Sequence, residues 1–251
     1  MKLGAQFYTV RNECRTPEEL MRSIEKVAGI GYRSIQLSGV CAYDAKTVGE
    51  KLHSLGMTVD LTHFSYDRII NDTDSVIAFH DEMGCKYIGI GSNPYGATPE
   101  GLDRLADELA PVLPKLASSG HKLMYHNHNM EFARYDGKLW LDMLCDRFSP
   151  DLIGVTLDMY WAQAGGADPV KVINDYGEYL NCVHLKDMIY HPGDKKVRMA
   201  PVGGGNMNYP AITEACLANN VEYAFVEQDD CYDEDPFDCL KRSFDYCKTL
   251  F

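Results

Sequence analysis

Leu152-Ile153-Gly154-Val155-Thr156-Leu157-Asp158 and Asn181-Cys182-Val183-His184-Leu185-Lys186-Asp187 decide how this chain is read. Each is a short, β-rich apolar run that closes on polar residues. Between them stands Asp168-Pro169, a helix N-cap followed by a proline suited to the first turn. Strand, helix and strand in this order make one βα unit of about 30 residues.

Equivalent runs lie on both sides. We place strands at 3–8, 33–37, 57–62, 87–90, 122–126, 152–157, 181–185 and 223–227, with starts separated by 30, 24, 30, 35, 30, 29 and 42 residues. Thr16-Pro17-Glu18-Glu19 opens the first helix, with two acids facing its dipole, and Gly29 and Gly31 close it. Thr98-Pro99-Glu100 and Asp235-Pro236 open later helices in the same way. Eight strands alternating with eight helices over 251 residues predict an α/β fold, a (β/α)8 TIM barrel, as one domain spanning 1–251. A doubly wound sheet is the runner-up, but it normally brings a glycine-rich turn after the first strand. Here that turn reads Tyr8-Thr9-Val10-Arg11-Asn12-Glu13. The longest irregular stretch is 188–207, with Pro192-Gly193-Asp194-Lys195-Lys196 and Gly203-Gly204-Gly205, and we expect it to form a lid over the barrel mouth. Lys195, Lys196 and Arg198 read as a solvated loop rather than an anion site.

Composition removes several function classes. Lys and Arg total 24 against 37 Asp and Glu, a net charge of −13. A field of that sign repels phosphate backbones and anionic lipid, so neither nucleic acid nor a membrane surface is expected as a partner. No apolar run reaches the roughly 18 residues that a membrane span needs. The start, Met1-Lys2-Leu3-Gly4-Ala5-Gln6-Phe7, reads as a strand and not as a signal peptide, so a cytoplasmic chain is expected. Nine cysteines, odd in number and without a C-x-x-C pair, read mostly as small buried hydrophobes. A homo-oligomer is compatible with all of this.

In such a barrel the chemistry sits where the strands end at their C-terminal face. Strand five ends in Tyr125-His126-Asn127-His128 with Glu131 behind it, and strand six in Asp158. Strand seven ends in His184-Leu185-Lys186-Asp187, and strand eight in Glu227-Gln228-Asp229. Alternation turns Val155, Leu157, Val183, Leu185 and Val226 outward, and His126, His128, Asp158, His184, Lys186 and Glu227 inward. His, Asp, His and Glu on four successive strands are ligand types for one divalent ion such as Mn, Mg, Co or Zn. Burying them without a partner would cost several kcal/mol. Lys186 shares the inner face with His184. It is read either as a partner for a substrate oxygen that gains charge, or as a salt bridge to Asp229 or Glu131.

These strand endings, with Gly165-Gly166-Ala167-Asp168-Pro169 and His184-Leu185-Lys186-Asp187, resemble the xylose isomerase-like barrel superfamily, often called sugar phosphate isomerases/epimerases. That superfamily includes ketose 3-epimerases, inosose dehydratase and endonuclease IV. The resemblance implies a metal held by Asp158, His184 and Glu227, with His126 standing where the epimerases have a glutamate. The carboxylate pair that those enzymes use as acid and base is therefore incomplete here. Glu227 remains, and Glu131, His126 or His128 is the candidate for the other half. Trp161 stands where the epimerases have a substrate-binding histidine. Tyr8, His63 and Gln228 are taken with it as substrate-binding residues.

The expected activity is a metal-dependent isomerisation or epimerisation of a keto- or aldo-sugar through an enediolate. The alternative is a lyase or dehydratase acting on a keto-inositol or 3-keto-glycoside. An endonuclease IV-like phosphodiesterase and a non-catalytic sugar-binding protein rank below both.

Overall fold

The computed structural model describes residues 1–250. Eight parallel strands close into a barrel in sequence order: β1 (Lys2–Gln6), β2 (Ser34–Leu37), β3 (Thr58–His63), β4 (Tyr87–Ile90), β5 (Lys122–His126), β6 (Ile153–Asp158), β7 (Leu180–Leu185) and β8 (Tyr223–Val226). β8 pairs back onto β1, with Lys2 opposite Tyr223 and Ala5 opposite Val226. Two hydrophobic clusters pack the barrel, one inside it and one around it. Leu61, Tyr87, Met124, Cys182 and Phe225 fill its interior, while Val155, Leu157, Val183, Leu185 and Val226 join the larger shell under the helices. That is the expected alternation, and it leaves His184 and Glu227 facing inward one step above the interior plug.

The helices begin where the cap residues stand. Thr16 and Glu19 form a reciprocal capping box at the start of α1 (Pro17–Ile30), and Gly31 ends it at φ 128°. Elsewhere Thr98 accepts from Gly101 N, Asp168 from Val170 N, and Asp235 from Phe237 N and Asp238 N. Among the described residues all nine cysteines are free, and six of them are buried.

Two expectations change. The first strand stops at Gln6 and not at 8, because the Gln6 side chain accepts from Tyr8 N and turns residues Phe7–Glu13 into a 3-10 segment. The stretch 188–207 is also no simple loop. Asp187–His191 and Lys196–Ala200 pair as an antiparallel hairpin, with Ile189 opposite Arg198. Behind the hairpin, Asp187 accepts backbone N–H bonds from Met188, Gly203, Gly205 and Met207. A Cβ at Gly205 would collide with the Asp187 carboxylate, so glycine there is a requirement of this close approach. The glycine run is thus a backbone wrap around one carboxylate.

Candidate active site

A cavity of about 480 Å³ opens at the C-terminal end of the barrel, lined by side chains from most of the strand ends. His126 is the last residue of β5. The turn after it is pinned from below: Glu131, fully buried, accepts from Tyr125 Oη (2.7 Å) and from His128 N (2.8 Å). That fixes the His128 ring 4.8 Å from the His126 ring and 5.5 Å from Trp161. Asn127 Oδ1 accepts from Asp158 N at 2.9 Å and ties β5 to β6 at this level.

Asp158 uses its two oxygens differently. Oδ1 accepts from Trp161 N at 3.0 Å, which caps α2 (Met159–Ala164) and sets Trp161 at the rim. Oδ2 is buried without a hydrogen bond and lies 3.6 Å from His184 Nδ1. On β7, His184 Nε2 donates to Gln36 Oε1 at 2.6 Å, which leaves Nδ1 facing Glu227 Oε2 at 2.9 Å. Glu227 Oε1 in turn accepts from Gln6 Nε2 at 2.9 Å. The Lys186 ammonium, 2% exposed, stands 3.0 Å from Asp158 Oδ2, 3.0 Å from Glu227 Oε2 and 2.9 Å from Asp229 Oδ1.

Three carboxylates therefore share one ammonium. Burial alone would discharge Lys186, but Asp158, Glu227 and Asp229 outweigh it and hold its pKa above the usual lysine value. Glu227 is pulled well below the carboxylate range, since Lys186 and His184 outweigh its burial. Asp229 is the least well served: burial first, then repulsion from Glu227, push it up to about 7 in spite of Lys186. His184 is likewise buried, but Glu227 and Asp158 raise its pKa. His63 is pushed down to about 3 by burial and by the nearby His184, and His126 and His128 are lowered, again mainly by burial.

Most of the expected residues meet here. Tyr8, His63, His126, His128, Trp161, Lys186 and Glu227 line the cavity, and Asp158 and His184 lie directly behind its wall. Glu131 and Gln228 do not line it. Glu131 holds the His128 turn, and the Gln228 amide donates to Asp230 O at 2.9 Å. The hairpin does not line it either. Met199 instead touches the Asp229 backbone, and Arg198 is held by Asp194. Sequence reading passed over Gln6, Gln36 and Arg11. Arg11 stacks on Tyr8 at 4.1 Å and donates to Asp229 O at 2.9 Å. Gln6 and Gln36 carry the same signal as the others, a polar residue between apolar ones at a strand end, but neither titrates.

Two groups of side chains could hold a metal ion: Asp158, His184 and Glu227, and His63, His126 and His184, with donor atoms within 4.8 Å of one another in each. Ligands about 2.0–2.2 Å from a divalent ion stand roughly 2.8–3.6 Å apart, the range of the two His184–carboxylate separations. Asp158 Oδ2, His184 Nδ1 and Glu227 Oε2, which meet only one another and the shared Lys186 ammonium, fit such an ion.

Residues 24–248 match the family described as xylose isomerase-like TIM barrel. Over 189 residues the chain is 24% identical to the inosose dehydratase of Geobacillus kaustophilus (strain HTA426), a match spanning 66% of this chain and 61% of that enzyme. A solved sugar phosphate isomerase/epimerase from Parabacteroides distasonis ATCC 8503 superimposes with a TM-score of 0.82 at 19% identity, covering 98% of this chain and 92% of that one. A structure of L-ribulose 3-epimerase gives 0.78 at 17% identity, covering 100% and 94%. With its closed eight-stranded barrel and the match running over most of its length, the chain belongs to the xylose isomerase-like TIM barrel family, whose members are mostly enzymes.

Proposed function

We propose that this chain enolises a keto- or aldo-sugar with the help of one divalent ion, as an isomerase or epimerase. One observation carries the reading. Buried donor atoms of Asp158, His184 and Glu227, met only by one another and by the shared Lys186 ammonium, converge beside two further imidazoles at a sugar-sized cavity. Asp158, His184 and Glu227, with His126, would hold the ion, which supplies electrophilic stabilisation of the oxyanion that develops as the C–H proton leaves.

The chain's own groups divide the remaining work. His128 lines the cavity, and its burial keeps the ring neutral near pH 7, as a base requires. Lys186 stays charged, so it donates a hydrogen bond to developing negative charge rather than taking a proton. His128 on the β5 side and Glu227 on the β8 side approach from different walls, as proton transfer between two faces of a sugar needs. Trp161 offers a flat apolar surface at the rim.

The match to an inosose dehydratase supports a second reading, a lyase or dehydratase on a keto-inositol or 3-keto-glycoside. The same enolisation would then be followed by loss of a β-oxygen substituent. To test both, the metal-loaded protein is incubated in D2O with keto-sugars, aldo-sugars, a keto-inositol and a 3-keto-glycoside. Deuterium should enter next to a carbonyl, and the product separates isomerisation from elimination. Chelation and Asp158→Asn should both stop it. Absence of exchange across the whole panel would overturn the proposal.

A further inference from the structure

We propose that His63 belongs to the metal shell, and that His63, His126 and His184 form a nitrogen face that makes the site select a borderline ion of the zinc or cobalt type over magnesium. The inference rests on the metal reading above and sharpens it.

His63 ends β3, two strands round the barrel from His126. Its ring lies 5.1 Å from that of His126 and 5.8 Å from that of His184, and the latter two are 4.6 Å apart. In the His63 and His126 rings a nitrogen is left bare. His63 Nδ1 is 3.1 Å from Ser38 Oγ, while Nε2 is buried with no partner. His184 Nε2 is engaged by Gln36, and Nδ1 faces Glu227 Oε2 at 2.9 Å. His126 Nδ1 is also buried and unpartnered. A bare nitrogen in a buried imidazole costs free energy unless something donates to it or is coordinated by it. Two such rings stand beside His184, and the three side chains offer donor atoms within 4.8 Å of one another, which describes a coordination face.

The carboxylate side points the same way. Lys186 already stands 3.0 Å from both Asp158 Oδ2 and Glu227 Oε2, so those oxygens meet a cation without any metal. His63 Nε2 and His126 Nδ1 have no such partner. Imidazole-rich sites suit zinc, cobalt and iron, whereas magnesium prefers carboxylate, carbonyl and water oxygens. Ser38 and Gln36 are the outer groups that orient two of the rings.

The test is metal binding by the full-length protein after chelation, measured by calorimetry with Zn²⁺, Co²⁺ and Mg²⁺ and by the visible bands of Co²⁺. Wild type should hold Zn²⁺ and Co²⁺ far more tightly than Mg²⁺. His63→Gln should weaken Zn²⁺ by at least about tenfold and shift the Co²⁺ bands, leaving Mg²⁺ unchanged. Ser38→Ala keeps the ligand and removes its support, so it should give a smaller loss in the same direction. It also covers the case in which His63→Gln fails to fold, which the melting curve of the metal-free variant reveals. If His63→Gln binds Zn²⁺ like wild type while Asp158→Asn does not, His63 lies outside the shell and the metal reading survives. If wild type binds no divalent ion, both fall.

Discussion

At the N-terminal end of the barrel, Asp60 accepts hydrogen bonds from Ser34, Thr58 and Lys2, Tyr87 Oη donates to Glu222, and Lys122 donates to Asn181. At the C-terminal end, His63 Nε2, His126 Nδ1, His128 Nδ1 and Trp161 Nε1 are buried with nothing bonded to them. Asp158 Oδ2 and Glu227 Oε2 meet only a histidine nitrogen and an ammonium that must serve a third acid as well. The same strands supply both ends. One end closes its polar groups on each other, and the other holds them open at a cost of order 1–3 kcal/mol for each. Open groups at the strand C-termini are what a ligand and an ion would satisfy. The closed end carries the stability that makes such exposure tolerable.

Lys186→Met should break the open end most. The side chain keeps much of its length and loses its charge, so substrate oxyanion and three acids lose their partner. We expect kcat to fall by about a hundredfold or more on whichever sugar shows exchange. Melting in chelator should also drop, since stranded buried carboxylates cost about 3–5 kcal/mol, and added divalent ion should restore part of it. Of the two salt bridges expected for Lys186, the one to Asp229 forms, with Asp158 and Glu227 beside it. A variant with undiminished turnover would leave the ammonium as a structural counter-charge only.

The open end of this contrast was legible in the sequence, and the closed end was not. His126, Asp158, His184, Lys186 and Glu227 follow from strand ends plus alternation, because the pleat leaves only two directions for a side chain. Glu131 shows where that logic stops. It lies beyond the strand, in a turn without a two-residue period, and proximity in sequence does not say which way a carboxylate faces. It faces Tyr125 and the His128 amide. Gln36 does not titrate, so its residue type alone does not separate it from a structural amide. The hairpin at 187–200 was obscured by Pro192-Gly193 and the glycine run, whose local signals outweigh a weak alternation in two exposed strands.

A second experiment sharpens the contrast within β3 itself. His63 faces the cavity, but its neighbour Thr62 faces outward, where Oγ1 is 2.8 Å from His80 Nε2; His80 Nδ1 is 2.7 Å from Val76 O. His80 is fully buried with both nitrogens matched, and burial pushes its pKa down to about 4. Between that value and the ordinary 6.5 the unfolded chain binds the extra proton, so stability rises with pH and is lost as pH falls through this window. The group accounts for about 3 kcal/mol across it. His80→Gln should unfold with a shallower pH dependence between pH 6.5 and 4, followed by denaturant titration at each pH. An unchanged slope would mean that His80 takes up its proton without unfolding.

The mildest test addresses the closed end. Tyr87 is buried in the barrel interior, and its hydroxyl reaches Glu222 Oε1 at 2.5 Å, beside Lys86. Glu222 is 41% exposed, so water can take over when the hydroxyl is removed. Tyr87→Phe keeps the ring that packs with Leu61, Met124, Cys182 and Phe225. The expected loss is therefore that of one ordinary hydrogen bond, about 1 kcal/mol in denaturant unfolding. Zn²⁺ affinity and turnover should stay at wild-type values, because the interior plug separates this hydroxyl from the cavity. A change in metal affinity on Tyr87→Phe would show that the two ends are coupled through the plug, and the division of labour between them would have to be given up.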